Sequence, residues 1–205
     1  MARLVPPKII KGETMLRIVD STKGWRELKK FRCGWSDKKA ETEIHDTAQA
    51  LARGEVTGLG AGISGPVYQR IIALESESGT VISWCGITRR HLCELPMPTD
   101  PGLYIFAIGT SWEYRGWRLD VGGTRPSDAV IRYALEVGAE DLGNGTMPYA
   151  WARVLPGNVH SNRLFDDHCF DLYTRPEEQM IRARCAGLNP AACRWNIGGE
   201  YSLGA

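Results

Sequence analysis

A mixed α/β or α+β domain built on one sheet is what this sequence predicts, and three observations predict it. Apolar spacing is helical early in the chain, β-rich around a polar turn in the middle, and then runs strand, loop, helix, strand, helix, strand. Leu103–Ile108, LYIFAI, is a short unbroken apolar run, the pattern of a strand covered on both faces, which places it in the middle of the sheet. Val67–Leu74 and Thr80–Arg89 flank the polar turn ESESG and read as an antiparallel hairpin. The expected architecture is a single mixed, mostly antiparallel sheet flanked by helices.

Taken in order, Met15–Asp20 is the first short strand, and Trp25–Phe31 and Glu43–Arg53 carry helical spacing. In the second of these, Ile44, Ala48 and Leu51 share one face and Gly54 is placed to stop the helix. Thr57–Pro66 is a glycine-rich link, and Leu95–Gly102, with three prolines, must be a loop. After a polar, glycine-bearing stretch comes a helix in which Val130, Ala134 and Val137 form a stripe while Arg132 and Glu136 point outward. Asp128 sits in its first turn, where the helix dipole favours an acid, and Gly138 is expected to end it. Tyr149–Leu155 is the next strand and Ser161–Asp167 the next helix. Asp171–Tyr173 with Met180–Arg184 forms a closing hairpin, and the tail after Leu188 has no apolar periodicity.

With 205 residues, 43% of them apolar, one domain is expected over residues 15–188, preceded by a basic extension (1–14) and followed by an irregular tail (189–205). The formal charge is +1, so net charge points to neither nucleic acid nor an acidic partner. Its distribution is uneven: up to Ala40 there are eleven Lys and Arg against four Asp and Glu. No run of about eighteen apolar residues is present and the start lacks the apolar core of a signal peptide, so no membrane span and a cytoplasmic location are expected. Six cysteines never approach a CxxC spacing and read as free thiols; no metal is expected.

Two glycine clusters could carry chemistry. Gly60-Ala61-Gly62-Ile63-Ser64-Gly65 matches the dinucleotide pattern GxGxxG, but a helix-like segment precedes it and Pro66 with a β-rich run follows, the wrong context for a cofactor loop. Arg115–Thr124 lies between a buried strand and a helix start, where unpaired backbone N–H groups and the helix dipole suit phosphate, with Arg115, Arg118 and Arg125 near by. The alternative is an exposed loop whose glycines satisfy turns.

On these segments the chain resembles the GNAT superfamily of N-acetyltransferases, which transfer an acyl group from acyl-CoA to an amine. LYIFAI is similar to the family's central strand, and Glu113-Tyr114-Arg115-Gly116 to the entry of its pyrophosphate loop. Asn158 matches the Asn at the exit of a later strand, Ser161 the small residue on the helix that follows, and Phe170 the aromatic of a Gly-Phe ending. The likeness spans about Val67–Arg184 in element order. Three positions depart from the pattern: WRLDVGGTRP follows Gly116 where another glycine is usual, Phe165 stands where many members carry a Tyr that protonates the CoA thiolate, and Cys169 replaces the Gly before the terminal Phe.

The resemblance implies acetyl-CoA as co-substrate, an amine as acceptor and direct attack on the thioester. The carbonyl oxygen would be held by a backbone N–H near Ile108 or Gly109. The CoA would be held by Arg115, Gly116, Arg118, Gly122, Gly123 and Thr124, with Asn158 and Ser161. Phenylalanine donates no proton, so the candidates for acid and base are Tyr173, His168 and Glu113, with Glu75 and Glu77 on the hairpin. Of seven tryptophans, Trp112 and Trp117 flank the loop entry in polar surroundings, where one of them would border the groove. Two rivals stand beside this expectation: a fold relative that has lost catalysis and serves as a binding or regulatory module, and a variant acting on a nucleic-acid base, as some phage relatives do.

Overall fold

The structure is a computed structural model that describes residues 9–10, 14–20, 25–33, 39–55, 69–90, 102–120, 123–141, 149–154, 158–172 and 180–184. The strands are β1 (Ile9–Ile10), β2 (Thr14–Asp20), β3 (Gln69–Ser76), β4 (Val81–Arg90), β5 (Gly102–Thr110), β6 (Arg118–Leu119), β7 (Ala150–Val154), β8 (Asp171–Leu172) and β9 (Met180–Arg184). The helices are α1 (Lys39–Ala52), α2 (Pro126–Asp141) and α3 (Val159–Asp167), with short 3₁₀ turns at Arg26–Lys30 and Trp112–Tyr114. Seven strands form one mixed, mostly antiparallel sheet in the order β2-β3-β4-β5-β7-β9-β8, flanked by the helices. The apolar run LYIFAI lies in β5, the central strand of the seven, as its sequence predicts. The β3–β4 turn forms where its polar residues place it, and β8 pairs with β9 as expected.

Three expectations shift. The helical spacing of Trp25–Phe31 yields only a 3₁₀ turn, closed by Leu28 N–H to Trp25 O (3.1 Å) and Phe31 N–H to Leu28 O (3.0 Å), and Phe31 is already extended. Gly138 does not end α2, which continues to Asp141. Its glycine is required by packing: a Cβ there would stand 2.5 Å from Leu103 Cδ2. Within the stretch read as an extension, Ile9–Ile10 pairs in parallel with Arg118–Leu119, and Ile10 is buried.

The chain divides into two compact units, and β4, β5 and α2 each supply residues to both. In the first unit, β2 pairs with β3 along its whole length, from Thr14 opposite Ser76 to Asp20 opposite Arg70. Ile71, Ile72, Ile82, Trp84, Leu28 and Leu51 are fully buried, each worth about 1.5–3 kcal/mol if aliphatic. Phe31 meets Trp84 edge-on with ring centroids 6.1 Å apart. Gly109 has no room for a side chain, because a Cβ would lie 2.8 Å from Ile44 Cγ2 and 3.2 Å from Phe31 Cζ.

In the second unit β5 and β7 run parallel, and their register covers Leu103–Ile105 opposite Ala150–Ala152. Tyr104 stacks on Trp151 at 4.2 Å, the Arg90 guanidinium lies over both rings, and Trp151 Nε1 donates to Arg90 O at 3.2 Å. Burial pushes the Tyr104 hydroxyl above its ordinary pKa, with Arg90 acting in the opposite sense. β9 pairs antiparallel with both β7 and β8.

Candidate functional site

The first candidate segment leaves β5 and enters α2, all within the first unit. Ser83 on β4 holds the end of β5: its hydroxyl donates to Gly109 O at 2.9 Å and lies 3.0 Å from Thr110 Oγ1. Sequence reasoning passed over this buried serine, because a lone Ser inside a β-rich run carries no signal until its partner strand is known. Ile108 is half-buried, and Gly109 is buried against Ile44 and Phe31. Ser111 N–H then bonds Ile82 O (2.8 Å) and Trp112 N–H bonds Arg32 O (3.0 Å), fixing where the chain turns off the sheet. The short turn Trp112–Tyr114 exposes Trp112 and Glu113, while Trp117 packs edge-on against Tyr114 at 5.6 Å.

Beyond it, Gly116 (φ +76°) and Gly123 (φ +61°) occupy the left-handed region that favours glycine, and a Cβ at either would meet nothing within 4 Å. Leu119 N–H bonds Thr124 O at 2.8 Å, closing the loop immediately before α2. Asp128 N–H (3.0 Å) and Ala129 N–H (3.2 Å) return to Arg125 O, which makes Arg125 the residue on which α2 starts.

The three arginines are placed differently. Arg115 donates from Nη2 to Cys33 O and lies 3.4 Å from Cys33 Sγ. Arg125 forks onto both carboxylate oxygens of Asp128 at 2.7 Å each. Among the described residues Arg118, half-buried, reaches only the neighbouring Trp117 O, at 3.5 Å. A phosphate on this loop would have to be held by Arg118 and by the open backbone at Gly123. Arg115 and Arg125 are directed to protein partners, and exposed Asp120 offsets part of the loop's positive charge.

The second candidate segment belongs to the second unit. Asn158 precedes α3 and its Oδ1 accepts from Ser161 N–H at 3.1 Å, while its carbonyl accepts from Asn162 N–H and Nδ2 at 3.0 and 3.1 Å. At the other end, Cys169 N–H bonds Asp166 O and Phe170 N–H bonds Phe165 O, both at 3.0 Å, with Cys169 at φ +59°. That is the Schellman ending, and its usual apolar contact is present: Phe165 and Phe170, each 2% exposed, meet at 4.9 Å. Cys169 is an exposed free thiol, and His168 is half-buried beside it.

Tyr173, Gly122, the Gly60–Gly65 cluster and Pro156-Gly157 lie outside the described residues. Glu75 is buried on β3 with Oε2 2.9 Å from Arg17 Nε; burial raises its pKa, against the attraction of Arg17. Among the described residues, no group of three or more His, Cys, Asp or Glu is placed to hold a metal ion. No described helix is long and apolar enough to cross a membrane.

In structure the chain matches 189 solved chains, and its fold is that of the GNAT acetyltransferases among them. One is the KacTA–DNA complex, at 11% sequence identity and a TM-score of 0.56, covering 85% of this chain and 94% of that one. Another is a GNAT-family acetyltransferase from Staphylococcus aureus Mu50, at 9% identity and a TM-score of 0.53, covering 84% and 99%. A third is a mutant of the toxin AtaT bound to the C-terminus of the antitoxin AtaR, at 12% identity and a TM-score of 0.52, covering 85% and 92%. No family model matches the sequence. No curated relative matches it in sequence either. At these identities the likeness is one of fold.

Proposed function

We propose that the protein is an acyl-CoA-dependent N-acyltransferase that transfers acetyl from acetyl-CoA to a primary amine by direct attack. The observation that carries this reading is the loop ahead of α2, with two left-handed glycines open to solvent on a chain of GNAT fold. Backbone around Gly123 and Thr124, with Arg118, would hold the pyrophosphate, and a backbone N–H of β5 near Ile108 or Gly109 would hold the thioester oxygen as charge develops on it. Bound CoA supplies an activated acyl group and a good leaving thiolate. Of the acid and base candidates, Glu113 borders a cavity and is the residue we assign to take the proton of the amine.

Calorimetric titration of acetyl-CoA tests this. The wild type should bind, and Gly123→Glu, which sets a carboxylate where phosphate would lie, should weaken binding by about 100-fold, or ~2.7 kcal/mol. Absence of binding to the wild type would overturn the proposal. A second reading, a member that binds CoA without turnover, is favoured by Phe165, a buried ring with no proton to give. It predicts acetyl-CoA binding with no thiol release against a broad panel of amines.

A further inference from the structure

A cavity of about 290 Å³ lies within the first unit. The 3₁₀ turn Arg26–Lys30 contributes Arg26, Glu27 and Lys30 to its wall, the β3–β4 turn its hydroxyl-bearing rim, and the segment leaving β5 contributes Trp112 and Glu113. The sequence marks the cationic side only as part of a basic lead-in, because nothing in its spacing says that it meets the end of β5. Among the described residues, no ion pair or side-chain hydrogen bond engages Arg26, Lys30 or Glu113. Opposite charges that border one cavity without touching each other suit a ligand that carries both signs.

Trp112 supplies a third element of recognition. Trp112 is 48% exposed, while its backbone is held by Arg32 O and, one residue earlier, by Ile82 O. An exposed tryptophan on an anchored backbone is a flat apolar wall that orders little on binding. Phe31 links this cavity to the strand, because it lines the cavity and also packs where a Cβ on Gly109 would sit.

We propose that this cavity takes the acyl acceptor as a zwitterion, an α-amino acid. Its carboxylate meets Arg26 and Lys30, its ammonium faces Glu113, and its side chain lies along Trp112. This rests on the acyl-transfer reading above. The ammonium gives one proton to Glu113, and the freed lone pair forms the C–N bond to the thioester carbonyl carbon. The C–S bond then breaks and the second nitrogen proton ends on the departing thiolate. The products are an N-acyl amino acid and CoA thiol, and Glu113 returns its proton to water.

Intrinsic tryptophan fluorescence provides a test that needs no acetyl-CoA. L-phenylalanine should bind about tenfold or more tightly than phenethylamine, which lacks the carboxylate, and than 3-phenylpropanoate, which lacks the amine. Lys30→Glu should weaken L-phenylalanine by about tenfold without weakening phenethylamine, and Trp112→Phe should remove most of the signal change. Thermal melts of both variants, whose substitutions lie at exposed positions, check that the fold is kept. Equal affinity for the three probes, or no binding of L-phenylalanine to the folded wild type, overturns the proposal. Acetyl-CoA binding without amino acid binding would sink this site and leave the acyl-transfer reading standing; the reverse result would keep the site and remove the reading.

Discussion

At the start of α3, Asn158 turns its side-chain oxygen onto Ser161 N–H; on the approach to α2, Gly116 and Gly123 offer bare backbone to open space. Both segments carry the resemblance to GNAT acetyltransferases, yet their residues meet different partners. Around α3 the matching residues meet partners in the protein itself: a side-chain cap at one end, and at the other a left-handed ending sealed by two buried rings. Around the α2 approach, the glycines are left-handed with nothing within 4 Å of where a Cβ would stand, a conformation that is costly for any other residue. Two family-like motifs can thus differ in whether their groups are already engaged within the protein, and only the open one is a candidate to meet a ligand.

The most damaging change to the α3 segment is Phe165→Ala. It removes a ring that seals the helix ending and should lower unfolding stability by about 3–5 kcal/mol in urea melts, while acetyl-CoA affinity of the folded fraction stays the same. Gly123→Glu should do the opposite, costing about 100-fold in acetyl-CoA affinity with about 1–2 kcal/mol of stability lost to the left-handed backbone. If Phe165→Ala instead abolishes binding in fully folded protein, the division between the two segments fails. Asn158→Ala should cost about 1 kcal/mol of stability through the lost cap, read as a lower Tm, again without change in affinity. The smallest effect expected is a gain: Cys169→Gly relieves a non-glycine residue at φ +59° and should add about 0.5–1 kcal/mol, part of the relief being offset by the greater chain entropy of glycine. A loss on Cys169→Gly would mean that the exposed thiol makes a contact worth more than the strain.

Much of the fold was legible because it follows from local patterns. LYIFAI had to be a doubly covered strand, ESESG had to turn, and the stripe Val130, Ala134, Val137 had to be helical, since each pattern is read within a few residues. Gly138 misled for the same reason. A glycine near a helix end is usually a cap, and only the neighbouring side chain of Leu103 reveals one kept for close packing. The candidate site was legible in its glycines and not in its charges. Arg115, Arg118 and Arg125 look alike in sequence, yet Arg115 is held by Cys33, Arg125 by Asp128, and Arg118 makes a weak contact to its neighbour's carbonyl.

The sequence by itself determined the sheet's central strand, the order of the elements around it, the glycines at which the α2 approach bends, and the Asn-to-Phe frame of α3, because backbone preference and apolar periodicity act over one or two turns of chain. Tertiary structure alone decided which polar groups remain available. Whether Arg115 can meet a phosphate depends on Cys33, far away in sequence, and whether Arg26 and Lys30 face Glu113 across a cavity depends on a short 3₁₀ turn meeting the end of β5. Such pairings are set by packing between segments remote in the chain, and charge is assigned to structure or to ligand only once that packing is in place.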